Sequence, residues 1–109
     1  SALAAGDLYH AGFALNTLGS IASDRGDEEL ALAYHKEGLS LLRQVGDEDG
    51  VAALLGNVGY DLMLQGDLDG AIDHCTESLI LYRNLISAHG CASMLLVLGR
   101  ATLLAGQTA

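Results

Sequence analysis

The sequence predicts an all-α fold, a solenoid of antiparallel helix hairpins built from five helices, and three observations carry that expectation. Fourteen glycines stand beside no proline, the composition of helices punctuated by glycine turns. Apolar and small residues recur at spacings of three and four, the stripe of an amphipathic helix. The chain also repeats itself at a step of 40 residues without a gap, the mark of stacked supersecondary units. Gly19, Gly59 and Gly99 keep that step, as do Leu15, Leu55 and Leu95; Gly26-Asp27 returns as Gly66-Asp67, and Arg43 returns as Arg83.

The elements follow in order. Leu8, Gly12, Leu15, Leu18, Gly19 and Ala22 give the stripe of a first helix over 8–24. Gly26 supplies the left-handed residue that ends it, and Asp27 is a good N-cap for the next. Glu28 and Glu29 open a second helix over 28–45, where the dipole favours anions, and Arg43 sits in its last turn, where cations are favoured. Its stripe is Leu30, Ala31, Tyr34, Gly38, Leu41 and Leu42. Gly46-Asp47-Glu48-Asp49 closes that helix and opens a third over 48–64; Gly66-Asp67-Leu68-Asp69 opens a fourth over 68–85. Ser87 caps a fifth over 88–105. Residues 1–6 read as the tail of a preceding second helix. The chain is thus one domain: that tail, a repeat over 8–45, a repeat over 48–85 and a half repeat over 88–105.

Glycine in a helix interior costs about 1 kcal/mol relative to alanine. Its recurrence at 19, 59 and 99 is explained by close approach of a neighbouring helix, with Ala31 and Ala71, then Gly38 and Ser78, as small partners on the second helix. Each unit then contacts mainly its neighbours in a superhelical stack.

These residues carry a resemblance. Leu15, Leu18-Gly19 and Ala22, then Gly26-Asp27, Ala31, His35 and Gly38, resemble the tetratricopeptide repeat pattern. Leu55, Val58-Gly59, Leu62, Gly66-Asp67, Ala71, Cys75 and Ser78 repeat it, and Leu95, Leu98-Gly99 and Thr102 begin a third unit. The terminal proline of the pattern is missing, the period is 40 rather than 34, and core aromatics have become Leu, His and Cys. The long period resembles repeats of LuxR-type bacterial transcription regulators and kinesin light chains. The resemblance implies a right-handed superhelix serving as a non-catalytic scaffold for a peptide or protein partner, as part of a larger bacterial signalling or regulator protein.

It also implies a concave face lined by the first helix of each unit. The corresponding positions are Phe13, Asn16, Ser20, Ser23 and Asp24; Ala53, Gly56, Tyr60, Met63 and Leu64; and Ser93, Leu96, Arg100, Leu103 and Leu104. Asn16 either holds a peptide backbone through its amide or packs between helices. Arg100 either pairs with a partner carboxylate or sits as a rim charge. The lysines of a carboxylate clamp are missing from the matching positions, so apolar contacts and backbone hydrogen bonds would hold the target. The fifth helix has no mate in the repeat pattern, which raises the alternative that Leu96 and Leu103 mediate self-association as a homodimer.

Other functions are disfavoured. Five Lys and Arg against fourteen Asp and Glu, net −9, argue against direct nucleic-acid binding and against an anionic membrane surface. The longest strongly apolar stretch, around Cys91–Leu98, falls short of the ~20 residues that span a bilayer, and no basic, then apolar, leader opens the sequence. Cys75 and Cys91 lie in no CxxC spacing and read as free thiols, small apolar groups of a cytoplasmic protein. His10, His35, His74 and His89 are scattered, and no nucleophile elbow, phosphate loop or zinc motif occurs. No enzyme, metal site or cofactor is expected. The acidic residues at the turns read as caps and solubilising charge, with a basic partner attracted to that edge as the other reading.

Overall fold

The computed structural model describes residues 4–108, and it holds five α-helices and no strand among them. They are α1 (Ala5–Asp24), α2 (Glu28–Val45), α3 (Glu48–Leu64), α4 (Leu68–Asn84) and α5 (Ala88–Thr108). The first helix begins at Ala5 rather than at 8. Gly6 and Asp7 therefore lie in its opening turn, not in a turn after a preceding helix, and Asp7 supplies the carboxylate that a helix N-terminus favours. The rest of the expected tail, residues 1–3, lies outside the described residues.

Each helix packs mainly on its neighbours in the chain, with slight contacts between α1 and α3 and between α3 and α5. The stack measures 49 × 32 × 19 Å. The core centres on α3, which has neighbours on several sides: Leu54, Leu55 and Val58 are fully buried, and Leu42, Ala71 and Ala101 close over them from the flanking helices.

The turns are written in the residues expected. Gly26, Gly46 and Gly66 all take positive φ (82°, 74° and 88°). The carboxylates of Asp27 and Asp67 accept from the backbone N–H of Leu30 and Gly70, and Ser87 accepts from that of Gly90. Asp47 makes no such side-chain cap bond. The fourth turn is different. Ile86, at the position matching Gly46, takes φ 55° and is 91% exposed. A β-branched residue is strained there, and its side chain returns no packing. Ile86→Gly is expected to raise stability by about 1 kcal/mol, read as an increase in the urea midpoint at unchanged m.

The recurrent glycines do what their spacing implied, with one instructive exception. A Cβ at Gly19 would run into the His35 ring, and one at Gly59 into Cys75 Sγ, with Ala71 O only 3.2 Å away. At Gly99 a Cβ would meet nothing within 4 Å, because no helix among the described residues packs against that side of α5. A neighbouring position follows the same register. Gly38 lies against the carbonyl of Gly12, whereas its counterpart Ser78 is buried and donates a 2.7 Å hydrogen bond to the carbonyl of Ala52, the counterpart of Gly12.

The last helix departs from the expectation about apolar length. Ala88–Gln107 is long and apolar enough, by length and composition, to cross a membrane. The sequence stripe around Cys91–Leu98 understates it because Ala101, Leu103, Leu104 and Ala105 extend the apolar run past Arg100. In this fold the helix packs on α4 and α3, burying Met94 and Ala101 and leaving Leu95, Leu96 and Leu103 exposed.

Candidate functional site

The 40-residue register places α1 and α3 as equivalent first helices, and a polar side-chain hydrogen bond links them. Asn57 Nδ2 donates to Asn16 Oδ1 at 2.7 Å. The Asn16 amide oxygen is therefore engaged between helices, which favours the packing role over capture of a peptide backbone by that atom. Beside this pair opens a notch of about 150 Å³ lined by Ser20, Ser23 and Asp24 of α1, His35 of α2, and Asn57, Tyr60 and Asp61 of α3.

The floor of the notch is a buried polar pair. His35 is 3% exposed and Asp61 1%, and the His35 Nδ1–H donates to Asp61 Oδ2 at 2.5 Å. The bond ties the first hairpin to the second. His35 Nε2 is buried and has no hydrogen-bond partner among the described residues. The repeat shows what this pair replaces. Forty residues on, the counterparts of His35 and Asp61 are Cys75 and Ala101, both fully buried and apolar.

The expected site residues are divided by this geometry. Ser20 and Tyr60 meet in the notch, with Asn16 on its margin through Asn57. Phe13 is half-buried and packs against Tyr9 with the rings tilted, centroids 4.7 Å apart. Met63 corrects the expectation of a face-lining side chain: it is 4% exposed and belongs to the core cluster, because α3 is enclosed on more sides than an end helix. Leu96, Arg100 and Leu103 are exposed on α5 and take no part in the notch. Asn57, Asp61 and the polar role of His35 were missed. The signal for Asp61 was present: it stands where the other two units carry Ile21 and Ala101, a carboxylate at an apolar register position.

The remaining chemistry is sparse. No three His, Cys, Asp or Glu side chains gather as a metal site among the described residues. Burial pushes the Cys75 thiol up to about 11 from an ordinary 9.0. Burial, and then the charge of Asp49, also raises the Tyr82 phenol. Cys75 is fully buried, whereas Cys91 is half-buried, so an alkylating reagent should label Cys91 first in the native protein. Between pH 9 and 11 the unfolded chain gives up the Cys75 proton while the folded chain keeps it. Stability should therefore fall as pH rises through that window, by about 2 kcal/mol, and alkaline urea titrations should lose this slope in Cys75→Ala.

The fold and its register define a helix-hairpin repeat scaffold. Residues 51–89, covering most of α3, all of α4 and the start of α5, match the profile of the tetratricopeptide repeat family, which supports a tetratricopeptide-type repeat here. Repeats of this family mediate protein–protein interaction and are non-catalytic. A search of curated proteins gives no match.

Proposed function

We propose that the chain is an interaction scaffold that receives a peptide or protein segment across α1 and α3, on the face that the family resemblance makes concave. The observation that carries this reading is the notch itself: an open polar recess that joins Ser20 of one unit to Asn57 and Tyr60 of the next. A segment lying there would bridge the two hairpins and find hydrogen-bonding side chains from both. The long repeat period supports placing the scaffold within a larger bacterial signalling or transcription-regulator protein, in the cytoplasm. The test begins with peptides selected from a random display library on the immobilised chain. Their affinity is expected to drop roughly tenfold in Tyr60→Ala; unchanged affinity would overturn the reading.

A second reading is self-association through α5. It is favoured by the exposure of Leu96 (72%) and Leu103 (67%) and by the open space at Gly99. Light scattering over a range of concentrations weighs it. A dimer that Leu96→Glu or Leu103→Glu dissociates supports self-association, whereas a monomer at every concentration refutes it.

A further inference from the structure

We infer that the open side of α5 is the contact face of a symmetric dimer, in which the α5 helices of two copies lie antiparallel about a two-fold axis near residue 97. This inference rests on the self-association reading and names the face and the register that it uses. Three independent observations carry it.

The first is the repeat register. Gly12, Gly19 and Ala22 of α1 are buried, and so are Ala52, Leu55, Gly59 and Leu62 of α3. The side chains that press on three of these glycines, Leu42, His35 and Cys75, come from the second helix of each hairpin. At the same places in the third unit, Ala92, Leu95, Gly99 and Thr102 are all exposed. Leu95 is 58% exposed where Leu55 is fully buried. The side of a first helix that twice receives a helix is therefore bare on α5. The second observation is the pattern of that side. Ala88, Ala92, Leu95, Gly99, Thr102 and Gly106 follow spacings of four and three, the seam of a helix pair, and all six are exposed. Turned end over end about residue 97, this seam meets its own complement. Leu95 falls opposite Gly99, Ala92 opposite Thr102 and Ala88 opposite Gly106. A knob and a hole on one face are what a self-complementary two-fold contact requires. The protein already uses that fit, since the Leu42 side chain occupies the space beside Gly12. Thr102 brings no unmet donor to the seam, because its hydroxyl donates to the carbonyl of Leu98 at 2.8 Å.

The third is charge. All fourteen Asp and Glu lie within residues 7–77, and Arg100 is the one Lys or Arg of α5. Two copies that each carry −9 repel one another least through this acid-free helix. The axis near 97 also falls close to the middle of Ala88–Thr108, so the paired helices overlap along most of their roughly 30 Å length. A second copy supplies knob and hole at once.

The experiment is sedimentation equilibrium of the full chain and its variants. The unaltered chain is expected to form a dimer. Gly99→Leu fills the hole and Leu95→Ala removes the knob; each change spoils both symmetric contacts and should weaken dimerisation roughly tenfold or more. The double variant Leu95→Ala with Gly99→Leu should recover it, because knob and hole have traded places in the same register. An equimolar mixture of the two single variants should recover it as well, as a heterodimer in which every knob again faces a hole. Both positions are exposed in the single chain, and far-UV circular dichroism checks that the variants keep their helices. A monomer at every concentration would overturn this inference together with the self-association reading, and uptake of an added α4 peptide by that monomer would give the face to a foreign helix. A dimer that Gly99→Leu leaves intact or tightens, or that mixing fails to restore, would overturn the register alone. If Leu96→Glu still dissociates that dimer, self-association through another side of α5 stands.

Discussion

Asp61→Ala is expected to lower stability by about 1–3 kcal/mol, because it leaves His35 buried without the carboxylate that its Nδ1–H needs. The loss should be largely reversible by a second substitution that the protein itself suggests. At the next interface the same two register positions carry Cys75 and Ala101, fully buried with no polar pair. The double variant His35→Cys with Asp61→Ala recreates that apolar solution. It should recover most of the lost stability, since replacing both members of a buried pair by packed apolar groups is often neutral. Urea denaturation of the two singles and the double completes the cycle. A double variant as unstable as the sum of the singles would mean that the pair is held by something other than mutual compensation.

The second large effect is a reversal of sign at one repeat position. Gly59→Ala drives a methyl group into Cys75 Sγ, with the carbonyl of Ala71 and the N–H of Cys75 close behind. Backbone on that side cannot yield as a flexible side-chain tip would, so a loss of about 1–3 kcal/mol is expected. Gly19→Ala should behave alike, since the His35 ring it meets is anchored by Asp61. Gly99→Ala meets nothing and should gain up to about 1 kcal/mol from helix propensity alone. Thermal or urea unfolding of the three variants reads the contrast. The same sign at all three positions would contradict the explanation of these glycines as notches for a second helix. In a dimer that uses α5, Gly99→Ala would also change the dissociation constant, which ties this series to the self-association reading.

Most of the fold was legible because the chain states its turns in local chemistry. Gly26-Asp27 and Gly66-Asp67 encode a left-handed stop followed by a cap, and both do so in the structure. Ile86 was not flagged, although the register sets it opposite Gly46; its strain is a backbone property that hydrophobic patterning does not display. The glycines at 19 and 59 were legible as contact points because their cost needed a cause, and the partners His35 and Cys75 occupy matching register positions. The candidate site was only half legible. Ser20 and Tyr60 follow from the groove positions that the family resemblance implies, at matching places in successive repeats, and the structure brings them to one notch. The bonds Asn16–Asn57 and His35–Asp61 join different hairpins, and such pairs depend on how one hairpin rotates against the next, which no single-helix pattern encodes. Met63 was misplaced for the same reason. Its register position faces outward on an end helix, but α3 lies in the middle of the stack, where that face is covered.

The most direct test of the central claim, that a partner segment lies across α1 and α3, is to map a display-selected peptide on the ¹⁵N-labelled chain by NMR. Resonances of Ser20, Ser23, Asn57 and Tyr60 are expected to move together and to saturate with one dissociation constant, while those of Leu96 and Leu103 stay in place. Saturable changes confined to α5, or a peptide that binds tightly while leaving the notch residues unmoved, would contradict the account.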